Sequence, residues 1–338
     1  MVKVMKNDTL LKLQNIKKYF PVQKSLIDQL FVNEIDYVRA VDDVSITIER
    51  GEVFGLAGES GSGKTTIGRL AIGLEDLTEG KAYFDGMDLG SLSEEELRKL
   101  RRRMQVIFQD PMASLNPRMS LGDAVVQGLK IHFPERADEH RDMVLSMFEK
   151  VGLTPPLFYL NKYPHQISGG QRQRVVIARA LITLPDLILA DEPVAMADVS
   201  VRAVLLELMA QLKEEFNLTY LFITHDLATA KYICDRIGVL YLGKLAEVST
   251  IKEIYQHPMH PYTKALLAAV PVPNPKKRRT EPMPEGEIPD PINPPSGCRF
   301  HPRCPIARPD CSVIEPQLRE LRKGHFVACR YAEFEENR

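Results

Sequence analysis

The chain has 338 residues, 44% of them hydrophobic and 26% charged, and a formal net charge of −1 at pH 7. This is the composition of an ordinary globular protein that is long enough for two domains. The balanced charge excludes a general attraction to nucleic acid or anionic lipid, and we expect no nucleic-acid partner. No apolar run reaches the roughly 18 residues that a membrane span needs, and the N-terminus has no secretory pattern, so we predict a cytoplasmic chain.

Residues 10–250 alternate short apolar runs with helix-like segments, a pattern that predicts an α/β fold around a sheet core. In chain order, the predicted strands cover 52–57, 104–109, 186–191, 219–224 and 236–243. The predicted helices cover 64–73, 169–183, 199–215 and 226–233. The segment from about 118 to 163 breaks the alternation and predicts an inserted helical subdomain. Residues 21–40 interrupt the N-terminal sheet region, and their purpose is not evident from the sequence.

The sequence GESGSGKT, residues 58–65, lies between a predicted strand and a predicted helix. It fits the phosphate-loop pattern, in which backbone amides and the positive end of the following helix surround a phosphate. We expect Lys64 to reach the β- and γ-phosphates and the Thr65 hydroxyl to bind Mg²⁺. A Cβ at the glycines is expected to hold the amides away from the phosphate. The predicted nucleotide-binding residues here are Gly58, Ser60, Gly61, Ser62, Gly63, Lys64, Thr65 and Thr66.

Three further apolar strands end in side chains that suit phosphate chemistry. LPDLILADEP ends in Asp191, placed to hold Mg²⁺ directly or through water, and Glu192, which can polarise an attacking water. In VIFQDP the predicted strand ends at Gln109, and in FITHD the residue that follows the predicted strand is His225. Taken alone, these residues also suit a solvated acidic turn, a strand-end amide and a capping histidine. Together with the phosphate loop they favour hydrolysis of a nucleoside triphosphate.

The segment ISGGQRQR, residues 167–174, presents a second set of helix N-terminal amides far along the chain from the first. With Tyr19 near the N-terminus and Asp198 after the acidic pair, these motifs in this order resemble the ATP-binding cassette family over roughly residues 10–250. The resemblance implies an α/β phosphate-loop NTPase with a mixed sheet core, a helical subdomain and ATP and Mg²⁺ as ligands.

The resemblance also implies roles for individual residues. Tyr19 would stack on adenine, and a half-buried strand-end tyrosine stays open as the alternative. Glu192 would be the general base, His225 would hold the γ-phosphate, and Gln109 would sense Mg²⁺ and couple to membrane subunits. The γ-phosphate held by a second subunit, head to tail with this one, would be contacted by Ser168, Gly169, Gly170 and Gln171.

One residue departs from the pattern of the family. The stretch VAMADVS has Ala195 where a small hydroxyl residue is usual. We expect this to weaken a hydrogen bond between subunits by only ~1 kcal/mol and to leave hydrolysis intact.

After residue 250 the composition changes, because prolines become dense between 258 and 305. Dense proline excludes long helices and central strands, so 257–338 is predicted to be an irregular, cysteine-rich extension of a nucleotide-binding domain that covers 1–256. The segment HPMHPYTKALLAAVPVPNP and the cysteine-rich stretch after it resemble the C-terminal extension of ATP-binding subunits from oligopeptide and dipeptide importers.

Four of the five cysteines lie in this extension, at Cys298, Cys304, Cys311 and Cys329. A segment with four thiols and little core of its own suits an iron–sulfur cluster with four cysteine ligands. Zinc sites favour ligand pairs two to four residues apart, closer than these. The resemblance also implies a [4Fe–4S] cluster, while Zn²⁺ and unligated thiols stay open as alternatives. The fifth cysteine, Cys234, is interpreted as a core thiol.

Several polar residues receive no site role. The basic run KKRR at 276–279 is interpreted as a solvated linker rather than a lipid contact. Four residues are interpreted as turn or surface histidines, namely His257, His260, His301 and His325.

The sequence thus predicts an ATP-hydrolysing subunit at the cytoplasmic face of a membrane. The expected partners are a second, non-identical ATPase subunit, two transmembrane permease subunits and an extracellular solute-binding protein. Peptides are the expected cargo, and the same resemblance leaves oligosaccharides, nickel and glutathione open. A soluble cassette ATPase without a transport role is the alternative from another functional class.

Overall fold

The computed structural model describes residues 9–22, 36–270 and 286–332. Most of the interruption at 21–40 and all of the basic run at 276–279 lie outside these ranges. The chain divides into two compact units. Of the described residues, the first unit contains 9–10, 48–53 and 91–223, and the second contains 11–22, 36–47, 54–90, 224–270 and 286–332.

The described residues form twelve strands: β1 (Thr9–Pro21), β2 (Tyr37–Glu49), β3 (Val53–Ala57), β4 (Glu79–Phe84), β5 (Met87–Asp88), β6 (Met104–Ile107), β7 (Leu187–Asp191), β8 (Thr219–Thr224), β9 (Arg236–Tyr241), β10 (Lys244–Thr250), β11 (Arg319–Arg322) and β12 (His325–Val327). They also form eleven α-helices: α1 (Lys64–Ala71), α2 (Glu94–Leu100), α3 (Pro111–Ser114), α4 (Leu121–His132), α5 (His140–Lys150), α6 (Pro156–Leu160), α7 (Gly169–Leu181), α8 (Val199–Phe216), α9 (Leu227–Ile233), α10 (Ile251–Gln256) and α11 (Pro261–Ala268).

In the first unit, β6, β7 and β8 run parallel, with β7 between the other two. Ile188 of β7 is in register with Gln105 on one side and Tyr220 on the other. Residues 187–190 and 219–224 are all buried. A parallel sheet covered on both faces selects consecutive apolar residues, which is why these strands were predicted from apolar runs. β6 ends two residues earlier than predicted, before Gln109.

The segment from about 118 to 163 contains α4, α5 and α6, which confirms the prediction that it is helical. α4 packs against α5, α6 and α7. A Cβ on Gly122 of α4 would lie 2.7 Å from a methyl group of Leu160, so this glycine allows α4 and α6 to approach closely. The serines Ser120 and Ser168 cap the N-termini of α4 and α7.

The second unit contains two groups of strands. The order β2-β1-β4-β5 forms a four-stranded sheet in which β4 is antiparallel to its neighbours β1 and β5. In the other group, β3 and β9 are parallel, and β10, β12 and β11 continue from β9 as antiparallel strands. The predicted strand at 236–243 ends at Tyr241 because Leu242 and Gly243, with φ of 43° and 78°, form the two-residue turn into β10.

The C-terminal region of the second unit is irregular apart from α11, β11, β12 and short 3₁₀ turns, as predicted. Its aromatic core is formed by Tyr241, Tyr262 and Phe300, whose ring centroids lie 4.7 to 5.4 Å apart. Within the described ranges, no helix combines the length and apolar character needed to cross a bilayer.

Candidate nucleotide-binding site

The loop 58–63 joins β3 to α1 in the second unit and carries most of the predicted phosphate-binding residues. The ammonium group of buried Lys64 donates to the carbonyls of Gly58 and Glu59, at 2.8 Å in each case. The Ser62 hydroxyl is buried and has no hydrogen-bond partner among the described residues. A buried ammonium group and hydroxyl at a helix N-terminus form a cradle suited to an anionic ligand.

The glycines of this segment serve packing as well as the approach of a ligand. A Cβ at Gly58 or Gly63 would lie 2.2 Å from a backbone carbonyl behind the loop, and both residues have positive φ. A Cβ at Gly55 of β3 would lie 2.8 Å from the sulfur of buried Cys234, which confirms Cys234 as a core thiol. Among the glycines of residues 55–63, Gly61 alone has open space, with nothing within 4 Å of its Cβ position. At Gly58 and Gly63 a Cβ would therefore clash with the protein itself, which is a second reason for glycine that the sequence did not show.

The remaining residues of the predicted cradle are partly accessible. Thr65 and Thr66 lie half-buried in the first turn of α1, and Ser60 and Gly61 form an exposed tip. His225 follows β8, belongs to the same unit as the loop and is exposed.

Tyr19 on β1 is tethered through its hydroxyl, which donates to Asp42 Oδ1 at 2.6 Å. Burial, supported by this hydrogen bond, raises the pKa of Tyr19. Burial opposes ionisation of Asp42, but the hydrogen bond from Tyr19 and the charges of Lys244, Arg299 and Arg39 hold its pKa below the usual value. Asp42 is thus an ionised anchor for a tyrosine whose ring stays half-exposed.

The predicted catalytic carboxylates lie in the first unit. Asp191 is the last residue of β7, and Glu192 follows it with a φ of 48°, in the left-handed region. The Glu192 amide donates to the carbonyl of Ile223 at 2.9 Å. The side-chain amide of Gln109 donates to Glu192 Oε2 at 3.1 Å, so the structure brings two predicted catalytic residues together. A non-glycine residue with positive φ costs energy and is concentrated at functional sites.

The SGGQ segment starts α7 in the first unit. Ser168 and Gln171 form a capping box, in which each side chain accepts the backbone amide of the other at 3.3 and 3.0 Å. The Gln171 side chain also donates to the Tyr159 hydroxyl at 3.0 Å. Gly169 and Gly170 occupy the first two helical positions, where backbone amides have no partner within the helix. Ser168 and Gly169 are exposed and Gly170 is half-buried, and the N-terminus of a helix favours an anion.

The four extension cysteines line one small apolar cavity of about 20 Å³. None of them is in a disulfide. Burial, and to a lesser degree the neighbouring thiols, raise the pKa of Cys298 to about 11. Within the described ranges, no three His, Cys, Asp or Glu side chains converge closely enough to hold one metal ion. The four thiols thus share one pocket, as a group with four cysteine ligands would require.

Two of the histidines are buried: the interpretation as turn or surface residues is wrong for His325, which lies in β12, and His260 is the buried N-cap of α11. His325 Nε2 lies 2.6 Å from Glu247 Oε1, and neither side chain is exposed. Glu247 also accepts the amides of Met259 and His260 at 2.9 Å. Burial lowers the pKa of His260 to about 4. These residues join β10 to β12 and to the start of α11. His257 and His301 are half-buried.

Sequence reasoning missed two ion pairs that reach the predicted nucleotide-binding residues. Arg303 binds Glu59 of the phosphate loop, and Arg299 binds the Asp42 carboxylate that holds Tyr19. The partners are 244 and 257 residues apart in the chain, so no local pattern could connect them. The only signal is that each arginine adjoins a cysteine.

Comparison with known proteins matches both parts of the chain. The family model for ABC transporters matches residues 41–195, and the model for the C-terminal region of oligopeptide/dipeptide transporters matches 246–311. The oligopeptide transport ATP-binding protein AppF of Bacillus subtilis is 47% identical, over 95% of this chain and 97% of its own. The oligopeptide transport ATP-binding protein OppF of Salmonella typhimurium is 46% identical over 95% of both. A dimeric ATP-binding cassette in a post-hydrolysis state, bound to ADP and phosphate, covers 72% of this chain and 99% of its own at 31% identity and a TM-score of 0.62.

The motifs, the fold and these matches define an ATPase of the ATP-binding cassette class, and the predicted α/β cassette fold is confirmed. More particularly, the chain belongs to the family of ATP-binding proteins of oligopeptide/dipeptide transporters.

Proposed function

We propose that this ATPase powers the import of oligopeptides or dipeptides. The observation that carries the proposal is the presence, in one chain, of the phosphate loop and a C-terminal region that matches oligopeptide/dipeptide transporters. Similarity to peptide-transport proteins over nearly their full length favours peptides over oligosaccharides, nickel and glutathione.

In this proposal ATP is held by the phosphate loop and Tyr19. Lys64 neutralises the β- and γ-phosphates, the backbone amides of 58–65 bind phosphate oxygens, and Tyr19 stacks on adenine. Thr65, Gln109 and Asp191 hold Mg²⁺, whose charge offsets that of the phosphates. The buried Lys64 ammonium group and the unpaired Ser62 hydroxyl support the cradle.

Glu192 is the proposed general base. Its carboxylate accepts a proton from the water that attacks the γ-phosphorus, while His225 holds the γ-phosphate in line. The hydrogen bond from Gln109 and the left-handed backbone of Glu192 support this role, because both fix the direction of the carboxylate.

We further propose that two ATPase subunits close head to tail on ATP and separate after hydrolysis. Ser168, Gly169, Gly170 and Gln171 would bind the γ-phosphate held by the other subunit, a non-identical relative. The exposure of Ser168 and Gly169 at the start of α7 supports an anion contact across such an interface.

Transport requires partners that cross the membrane. We propose two permease subunits, which hold this chain at the cytoplasmic face, and an extracellular protein that delivers the solute. The surface proposed to dock on the permeases is formed by the helical segment and the residues after Gln109. Four large apolar side chains of this unit are exposed and support such a contact: Phe108, Met112, Leu157 and Phe158.

The extension is proposed to carry a [4Fe–4S] cluster held by Cys298, Cys304, Cys311 and Cys329. The observation that supports this proposal is that four thiols outside any disulfide line one apolar pocket, which is the ligand set of a four-cysteine cluster. When bound, the cluster would supply a rigid cross-link between segments that share little core. Residues 257–338 would then be a stapled extension of a nucleotide-binding domain formed by 1–256, with its helical subdomain at about 118–163.

Uptake of a radiolabelled tripeptide by cells that lack this chain tests the function. The wild-type chain should restore uptake, Glu192→Gln should not, and the matched control Glu207→Gln, at an exposed position of α8, should behave as the wild type. Restored uptake of a labelled oligosaccharide, nickel or glutathione, without the tripeptide, would overturn the peptide assignment.

A further inference from the structure

Two arginines of the cysteine-rich segment, both in the second unit, form ion pairs with residues of the predicted nucleotide site or next to it. Arg299 directly follows Cys298, and Arg303 directly precedes Cys304. Only 7% of each arginine side chain is exposed.

Arg303 holds the phosphate loop. Its Nη1 and Nη2 donate to the two carboxylate oxygens of Glu59, at 2.9 and 3.2 Å, which is a bidentate pair. The Glu59 amide donates to the Tyr262 hydroxyl at 2.9 Å, and the Glu59 carbonyl accepts the Lys64 ammonium group at 2.8 Å. Glu59 is therefore held by the C-terminal region through its side chain and by Lys64 through its backbone carbonyl.

Arg299 holds the tyrosine proposed to stack on adenine. Its guanidinium group donates to the Asp42 carboxylate and to the carbonyl of Leu242. The other carboxylate oxygen of Asp42 accepts the Tyr19 hydroxyl at 2.6 Å. The Asp42 amide is held as well, because it donates to the carbonyl of Gly243 at 2.9 Å. The arginine thus acts on Tyr19 through one carboxylate.

Both arginines are next in sequence to cysteines that pack against one aromatic core. Cys298 and Cys304 pack against the core formed by Tyr241, Tyr262 and Phe300. The positions of the two guanidinium groups are consequently set by the packing that also sets the thiols.

We propose that Arg299 and Arg303 are positioning residues of the ATPase, Arg303 for the triphosphate and Arg299 for the adenine. The inference rests on the proposed binding of ATP by the phosphate loop and Tyr19. Both pairs are charge-assisted and mostly covered by protein, so they are directional and are screened by salt less than exposed pairs are. The C-terminal region is then part of the nucleotide site rather than a separate module.

Two probes separate the two roles on the full-length chain. These are adenylyl imidodiphosphate, a non-hydrolysable ATP analogue, and inorganic tripolyphosphate, which has no base, each measured with Mg²⁺ by titration calorimetry. Arg303→Gln should weaken both probes about tenfold, and Arg299→Gln should weaken the analogue about tenfold and tripolyphosphate less than about twofold. Because both probes are measured on one preparation, the ratio of their affinities does not depend on the folded fraction.

The matched control is Arg308→Gln. Arg308 belongs to the same segment, and its guanidinium group lies over the ring of Tyr331, 3.9 Å from the centroid. The Arg308→Gln variant should bind both probes as tightly as the wild type does.

A double-mutant cycle tests whether Arg303 acts through Glu59. Glu59→Gln combined with Arg303→Gln should bind the probes no more weakly than Arg303→Gln alone, and Arg303→Lys should restore part of the loss. The double variant leaves neither charge without its partner, so its affinities can be compared with those of the wild type and of Arg303→Lys even if Arg303→Gln does not fold.

Three results would overturn the inference: Arg299→Gln weakening both probes equally, either arginine variant binding as the wild type, or the Glu59 and Arg303 effects multiplying. Lys64→Ala separates this failure from failure of the nucleotide site. If Lys64→Ala loses both probes while the arginine variants bind normally, only the inference is wrong. If Lys64→Ala binds normally, the nucleotide site and the inference with it are both wrong.

Discussion

The side-chain amide of Gln109 donates to the carboxylate of Glu192, with 3.1 Å between Nε2 and Oε2. Gln109 lies just beyond β6 and Glu192 just beyond β7, and these strands are parallel neighbours. Side chains after neighbouring parallel strands meet at the same sheet edge, which is where α/β proteins bind ligands. The carboxylate is therefore oriented by its own backbone and by a neighbouring amide.

Replacing Glu192 by Gln should lower kcat for ATP hydrolysis by about 10²–10⁴-fold while leaving ATP bound, because the amide cannot accept the proton of the attacking water. Steady-state phosphate release and equilibrium ATP binding measure the two effects. Glu207→Gln on α8 is the matched control and should keep full turnover. Turnover at the wild-type rate in Glu192→Gln would contradict the base assignment.

Gln109→Ala should lower kcat about tenfold, because it removes the hydrogen bond that directs the Glu192 carboxylate. With Mg²⁺ at a saturating concentration, so that any loss of Mg²⁺ affinity does not limit turnover, the same substitution in a chain that already carries Glu192→Gln should have little further effect on kcat. Losses in kcat that multiply across the two positions would mean that Gln109 acts independently of Glu192.

The free energy of unfolding should fall as the pH drops from about 6.5 towards 4. Burial lowers the pKa of His260 to about 4 against the opposing charge of Glu247, so the folded chain binds fewer protons than the unfolded chain in this window. The contribution of neutral His260 to the free energy of unfolding is fully present above the ordinary histidine pKa of about 6.5. It is lost progressively as the pH falls from there to the folded-state pKa of about 4. Its size is on the order of 3 kcal/mol.

Urea unfolding at pH 7 and pH 5 measures this loss. His260 Nδ1 accepts the Tyr262 amide at 3.0 Å, and Asn keeps such an acceptor without titrating, so His260→Asn should flatten the pH dependence. His165→Asn, at an exposed position, is the control and should keep the wild-type slope. An unchanged slope in His260→Asn would assign the acid sensitivity to other groups.

Cys304→Ser should bleach the absorption near roughly 400 nm expected of anaerobically purified protein that contains an iron–sulfur chromophore. Cys234→Ala should keep it, because Cys234 is buried in the core beside Gly55, away from the cysteine pocket. A colourless wild-type protein that contains stoichiometric zinc would contradict the cluster.

The parts of this protein that were predictable are those in which local sequence determines local structure. β7 and β8 are buried runs of consecutive apolar residues, and the phosphate loop has a fixed spacing of Gly, Lys and Thr. Even there, the glycine argument was incomplete. Gly58 and Gly63 are needed because carbonyls of distant residues pack behind them, and a single sequence does not contain that packing.

The features that escaped prediction are pairings over long sequence separation. The burial of His325 depends on Glu247, 78 residues away, and the ion pair of Arg303 depends on Glu59. Polar residues near prolines suggest turns when only composition is known. Their burial becomes intelligible once β12 is paired with β10 and Glu247 supplies the hydrogen bonds.

The central claim, that ATP joins two cassette subunits, is tested most directly by sedimentation of Glu192→Gln together with the other ATPase subunit of its transporter. With Mg·ATP the two chains should sediment as a one-to-one dimer, and with Mg·ADP they should separate. Chains that remain monomeric at saturating ATP would contradict the account.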